Sequence, residues 1–294
     1  MRSRRHLTAS VLGILFGAAL ASAQTPPPVT AAPAPAASPA PAPTAEPAPT
    51  KEQLAAGRAA FAKVVAALGG AEKVRTVKDV QTRGQVTAKT PQGDMTMEIQ
   101  TAMVFPDKLS QQLDAPFGRL AMVATPTNAW VMGPNGPSDL PPQMRDELLK
   151  QVQRVPLWLA QKADDPKLSA AARGTEKVGN VQATVLDVAY GDMKVRWYVD
   201  PATGRIVRTY HTALGPNGNT VKISSDYSDY RLESGFPVAH RLEVTTDGER
   251  DQTLTLDECR INAGVDQKLF TKPPPPTPAP TAPPADAPQP GGRR

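Results

Sequence analysis

Much of this chain alternates. Met95, Met97, Ile99, Thr101 and Met103 fall on one side of an extended backbone, and Thr96, Glu98 and Gln100 on the other. The same period of two runs through Val195, Trp197 and Val199 against Arg196 and Tyr198, and through Leu242 and Val244 against Arg241 and Glu243. Val221, Ile223, Ser225 and Tyr227 oppose Lys222, Ser224, Asp226 and Ser228. Side chains a strand apart in parity point to opposite faces, so each run predicts a strand with one face buried. The breaks carry turn chemistry: Thr90-Pro91-Gln92-Gly93, Asp200-Pro201-Ala202-Thr203-Gly204, Gly215-Pro216-Asn217-Gly218 and Thr246-Asp247-Gly248-Glu249. The pattern is a meander of long antiparallel strands.

Two stretches depart from it. At the start, Thr50 can cap a helix and Gln53 can complete a capping box. Leu54, Phe61, Val64, Val65 and Leu68 then share a helical face, and Gly69-Gly70 stops the helix. In the middle, Gly133 to Pro142 reads as a loop, followed by two short helices over Gln143–Arg154 and Leu157–Ala163. Val152, Val155, Leu157, Trp158 and Leu159 give this insert (residues 141–164) an apolar surface that must cover something. Strand patterning resumes near Thr175. A sheet of roughly eleven strands curls in preference to staying flat. The expected class is α+β, mainly β. Its frame is a curved antiparallel sheet, an unclosed half-barrel, with the N-terminal helix and the insert covering the concave face.

The ends of the chain differ from this middle. Arg2, Arg4 and Arg5 precede an apolar run from Val11 to Leu20, and Ala21-Ser22-Ala23 offers small residues for cleavage before Gln24. The run is half the length of about 20 residues that a spanning helix needs, so residues 1–23 are predicted to be a signal peptide. Residues 24–50 and 273–294 are proline-alanine segments without apolar bulk, expected to be disordered spacers on either side of one domain over 51–272. The formal charge is +5 and falls to +2 once the signal's three arginines are removed. The remaining basic residues are interspersed with acids, which argues against nucleic acid as a partner. These features predict a periplasmic or extracellular monomer.

Catalytic chemistry finds little to work with. His211 and His240 lie on separate predicted strands, without spacing that would aim both at one metal. Asp226 and Asp229, three apart on a strand, face opposite sides. Cys259 is the only cysteine, and simple alternation places it across the strand from Leu254 and Leu256. No nucleophile elbow, phosphate loop or dinucleotide fingerprint appears, so neither an enzyme nor a cofactor is expected. Binding is better supported. Met95, Met97, Ile99 and Met103 share a face, Met122 and Met132 lie on later strands, and methionines conform to ligands of variable shape. With Trp130, Trp197, Leu157 and Trp158 they are the candidate wall of a lipid-sized cavity, the insert serving as its lid.

Four segments carry a family resemblance. They are Val104-Phe105-Pro106-Asp107-Lys108-Leu109; Asn128-Ala129-Trp130-Val131-Met132; Trp197-Tyr198-Val199-Asp200-Pro201-Ala202-Thr203-Gly204 with Arg208; and Asp229-Tyr230-Arg231 with Gly235-Phe236-Pro237. Over residues 54–272 the chain resembles the periplasmic outer-membrane lipoprotein-sorting proteins. That resemblance implies an unclosed barrel with a helical lid, a cavity that receives acyl chains, and a lipid or acylated protein as the ligand. Arg83 stands, by order along the chain, where the carrier's strand arginine would be. The proline-alanine tails are no family feature. Partner binding among envelope proteins, or companionship with a secreted protease, is the competing expectation.

Overall fold

The structure, a computed structural model, describes residues 47–274 apart from 91, 117, 135, 216 and 217. The predicted signal and most of both proline-rich segments lie outside the described residues. Thr50 opens α1 (Lys51–Ala67) with the reciprocal pair its sequence calls for: Gln53 N donates to its Oγ1 at 3.2 Å, and Thr50 N donates to Gln53 Oε1 at 2.9 Å. Gly69 and Gly70, at φ 107° and 92°, turn the chain into α2 (Ala71–Arg75).

The first run of strands is β1 (Asp79–Thr90), β2 (Gly93–Val104), β3 (Lys108–Ala115), β4 (Gly118–Ala124), β5 (Ala129–Gly133) and β6 (Gly136–Asp139). Two helices follow, α3 (Pro142–Gln153) and α4 (Pro156–Ala160). The second run is β7 (Leu168–Val178), β8 (Val181–Tyr190), β9 (Met193–Val199), β10 (Ile206–Leu214), β11 (Thr220–Glu233), β12 (Phe236–Thr246) and β13 (Glu249–Ile261), closed by a 3-10 turn over Gln267–Phe270. All pair antiparallel in one thirteen-stranded sheet of order β6-β5-β4-β3-β2-β1-β13-β12-β11-β10-β9-β8-β7. The chain starts at the middle of the sheet, walks to one edge, crosses through α3 and α4 to the other edge, and walks back to the middle. β6 and β7 do not pair with each other, so the barrel stays open. Among the described residues no helix is long and apolar enough to cross a membrane.

Two strand boundaries differ from the sequence reading. The segment read as a loop over 133–142 holds the short edge strand β6. β7 begins at Leu168, ahead of Thr175, because its first half is built from small residues that carry no strand signature. Those small residues serve α1. A Cβ on Gly57 would sit 2.3 Å from Ala170 O and 2.6 Å from Ala171 Cα, so helix and strand approach as closely as backbones allow.

Helices fill the two ends of the concave face. At one end α1 and α4 bring Phe61, Val64, Trp158 and Leu159 onto Leu186, Val195 and Trp197, with the Phe61 and Trp197 rings stacked at 5.5 Å and 9°. At the other, Leu148 and Val152 of α3 cover Val86, Met97, Leu109, Leu113 and Met122. Each such side chain taken fully out of water contributes about 1.5–3 kcal/mol.

Candidate ligand-binding cavity

Between the two helix-covered ends the sheet is uncovered. Here a cavity of about 370 Å³ lies over β1, β2 and β10 to β13, roofed by the end of α1 and by the α3–α4 junction. Its floor is Val80, Ile99 and Met103 on one side and Val238, Leu242, Leu254 and Leu256 on the other. Val64, Leu68, Val155 and Leu157 close it from above. Polar side chains are set into this apolar wall: Thr82, Thr101, Gln111, Thr209, Ser225, Tyr227 and Tyr230, with Gln151, Arg154 and His211 at one end and Arg205 at the other. Among the described residues no aspartate or glutamate lines it.

Local backbone irregularities decide which side chains arrive. Asp229 is left-handed, at φ 52°, which changes the parity of β11 so that Tyr227 and Tyr230, three residues apart, both reach the cavity. A bulge in β13 pairs Arg83 with Glu258 but Gly84 with Leu256. The extra residue brings Cys259 to the same side as Leu254 and Leu256, where simple alternation had put it opposite. Gly84 permits this, since a Cβ there would lie 2.1 Å from Thr255 O.

Of the ten residues expected in the wall, Ile99, Met103 and Leu157 line the cavity. Met97 and Met122 are packed under α3, with Met95 against the same cluster. Trp158 and Trp197 belong to the cluster beneath α1. Trp130 and Met132 turn to the other face of the sheet and pack with Val123 and Phe270. The insert is anchored at its far end, where Gln161 Nε2 donates to Val74 O at 3.0 Å and to Val77 O at 2.6 Å, and Arg75 pairs with Asp164. The polar wall residues escaped the sequence reading because they sit at buried-face positions of strands whose alternation marks only a core.

The chemistry of the lining is quiet. Burial pushes the Cys259 thiol up to about 11, with Glu233 and Glu258 adding to it, so the nucleophilic thiolate is suppressed. Burial, then the charge of Arg154, lowers His211 to about 3, leaving a neutral imidazole. Burial also raises the Tyr227 and Tyr230 phenols, and Tyr230 Oη donates to Ile206 O at 2.5 Å. His240 is fully buried away from His211, its Nδ1 2.9 Å from Leu256 O and its Nε2 3.0 Å from Glu233 Oε1. Asp226 pairs with Arg208 and Asp229 with Arg231, so the two carboxylates have separate partners. Among the described residues no three His, Cys, Asp or Glu side chains come together as a metal site.

No family model matches the sequence, and no curated protein matches it. Solved structures do match the fold. The chain is similar to a DUF1329 family protein from Desulfovibrio piger, at 12% identity and a TM-score of 0.50 over 73% of this chain and 97% of that one. It is also similar to a LolA superfamily protein from Nitrosomonas europaea, at 15% identity, 0.48, and 71% and 97% coverage. The outer membrane lipoprotein-sorting protein domain from Vibrio parahaemolyticus gives 15% identity, 0.47, and 74% and 97% coverage. At these identities the likeness is one of fold.

Proposed function

We propose that this chain is an exported, non-catalytic binding protein of the cell envelope that holds a lipid, or the acyl part of an acylated protein, in the cavity between its two helix-covered ends. The observation that carries this reading is the cavity itself: about 370 Å³ of space with a mostly apolar wall, left between two well-filled clusters. That volume is within the roughly 300–1,000 Å³ of ordinary small-molecule sites. Apolar wall left open to water is a standing loss, and each methylene buried against it returns about 0.8 kcal/mol. An alkyl chain is the simplest ligand that gains from such a shape. Ile99, Met103 and Leu157 belong to the proposed wall, with Val238, Leu242, Leu254 and Leu256 opposite them.

Export rests on the signal-like residues 1–23, which would deliver the protein to the periplasm or beyond it. The protein acts as a monomer whose proline-rich ends serve as spacers. Delipidated protein mixed with a fluorescent fatty-acid probe should bind it saturably, and native mass spectrometry of freshly purified protein should show co-purified lipid. No probe uptake together with a lipid-free mass spectrum would overturn the reading and leave a partner-binding envelope module.

A further inference from the structure

Two arginines line the cavity, and they differ. Arg205 is exposed and lies over the Tyr230 ring at 5.1 Å, with Asp200 as its electrostatic neighbour. Arg154 is 11% exposed and closes α3. Its Nη1 donates to Glu147 Oε1 at 2.9 Å, and its Nη2 has only a 3.4 Å contact with Thr212 O. Its Nε is buried with no partner among the described residues. Nε and Nη2 are the two donors along one edge of the planar guanidinium, the spacing that meets both oxygens of a carboxylate or phosphate. Glu147 takes the other corner and is not part of the cavity wall.

A buried charged donor without an acceptor is destabilising, and a ligand oxygen placed there removes the loss. The neighbouring His211 adds no charge of its own, so Arg154 is the cation at this end of the cavity. From His211 to Ile206 the lining of β10 runs roughly 15 Å at the rise of a strand, with apolar floor beside it. The open edge of Arg154 beside that apolar floor suits a ligand with an anionic group at one end and a chain at the other.

We propose that the cavity takes an anionic amphiphile, an alkyl or acyl chain with a carboxylate or phosphate head, whose head docks on the Nε–Nη2 edge of Arg154 and whose tail lies along β10 toward Ile206. This rests on the lipid-binding reading and specifies the head group. The test compares dodecanoate, dodecyl phosphate and methyl dodecanoate on delipidated full-length protein, by displacement of a neutral fluorescent probe. Both anions should bind at least about tenfold more tightly than the ester, the range of a charge-assisted hydrogen-bonded pair. The tighter of the two anions identifies the head.

Arg154→Lys keeps the charge and loses the fork, so it should lose most of that preference while still binding the ester. Glu147→Gln/Arg154→Met removes both partners together and should bind all three alike, which guards against misfolding of a variant with an orphaned Glu147. Equal affinity of ester and anions in the unmodified protein would overturn the head-group proposal and leave lipid binding standing. Failure of all three to bind would overturn both.

Discussion

The filled ends of the concave face and its empty middle are built on one continuous sheet, and they differ in what the strands offer and in what lies above them. At the ends, strands present Trp197, Leu186, Leu113 and Met122, and a helix presses large side chains back onto them. In the middle, the short side chains of Thr82, Thr101, Thr209 and Ser225 interrupt the apolar floor, and only the tip of α1 and the α3–α4 junction reach over. Short side chains under a gap between helices leave a void, where long ones under a helix leave a core. The cavity is thus a consequence of side-chain length and helix placement together, and each can be altered separately.

The largest effect is expected at the filled end. Trp197 is fully buried and stacked on Phe61, so Trp197→Ala should cost about 3–5 kcal/mol in urea unfolding. A cost below about 1 kcal/mol would mean that this end is no better packed than the middle. Gly57→Ala comes next. In an isolated helix it gains about 1 kcal/mol, but here the new Cβ meets Ala170 O at 2.3 Å, and overpacking of that kind costs about 1–3 kcal/mol. Net destabilisation is expected by thermal unfolding; a stabilised variant would show that α1 is free to lift off β7.

The strand faces were legible in the sequence where alternation runs unbroken, as from Met95 to Met103 and from Val221 to Tyr227. The cap at Thr50 and the helices of the insert were legible for the same local reason: a few neighbouring residues determine them. What could not be read was parity after an irregularity. The bulge in β13 and the left-handed Asp229 each move later side chains to the other face, and both depend on pairing with distant strands. Nor could alternation say which apolar face a helix would cover. Met97 and Met103 share a face of β2, yet α3 covers the first while the second reaches the cavity. Trp130 and Met132 alternate as well as any wall residue but pack on the opposite side, where the 3-10 turn brings Phe270 against them from a distant part of the chain.

His211 tests the cavity's polar end through pH. Its folded-state value near 3 lies below the ordinary 6.5, so the fold holds the neutral ring while the unfolded chain binds a proton below 6.5. The associated stability is intact above 6.5 and is lost as pH falls from there toward 3, at up to about 1.4 kcal/mol per pH unit. Carboxylates titrate over part of the same window, so the readout is the difference between the protein and His211→Gln. That difference should shift in favour of the variant on going from pH 7 to pH 5. A constant difference would place His211 in contact with water and remove the neutral ring from beside Arg154.

The smallest expected change in stability is the most informative about the comparison. Thr101 is half-buried on the floor of the empty middle, and among the described residues no hydrogen bond ties its hydroxyl. Thr101→Phe would put a ring into space that is already vacant, so the usual overpacking loss of about 1–3 kcal/mol should be largely absent, with stability changed by less than about 1 kcal/mol. The same ring would occupy the volume proposed for the ligand chain, and probe binding should fall at least about tenfold. The substitution separates the two regions by opposite signatures. Trp197→Ala should lose stability and keep binding per folded molecule, whereas Thr101→Phe should keep stability and lose binding. A Thr101→Phe protein as unstable as a core overpacking variant would mean that the middle is closed by its own side chains, and the binding reading would go with it.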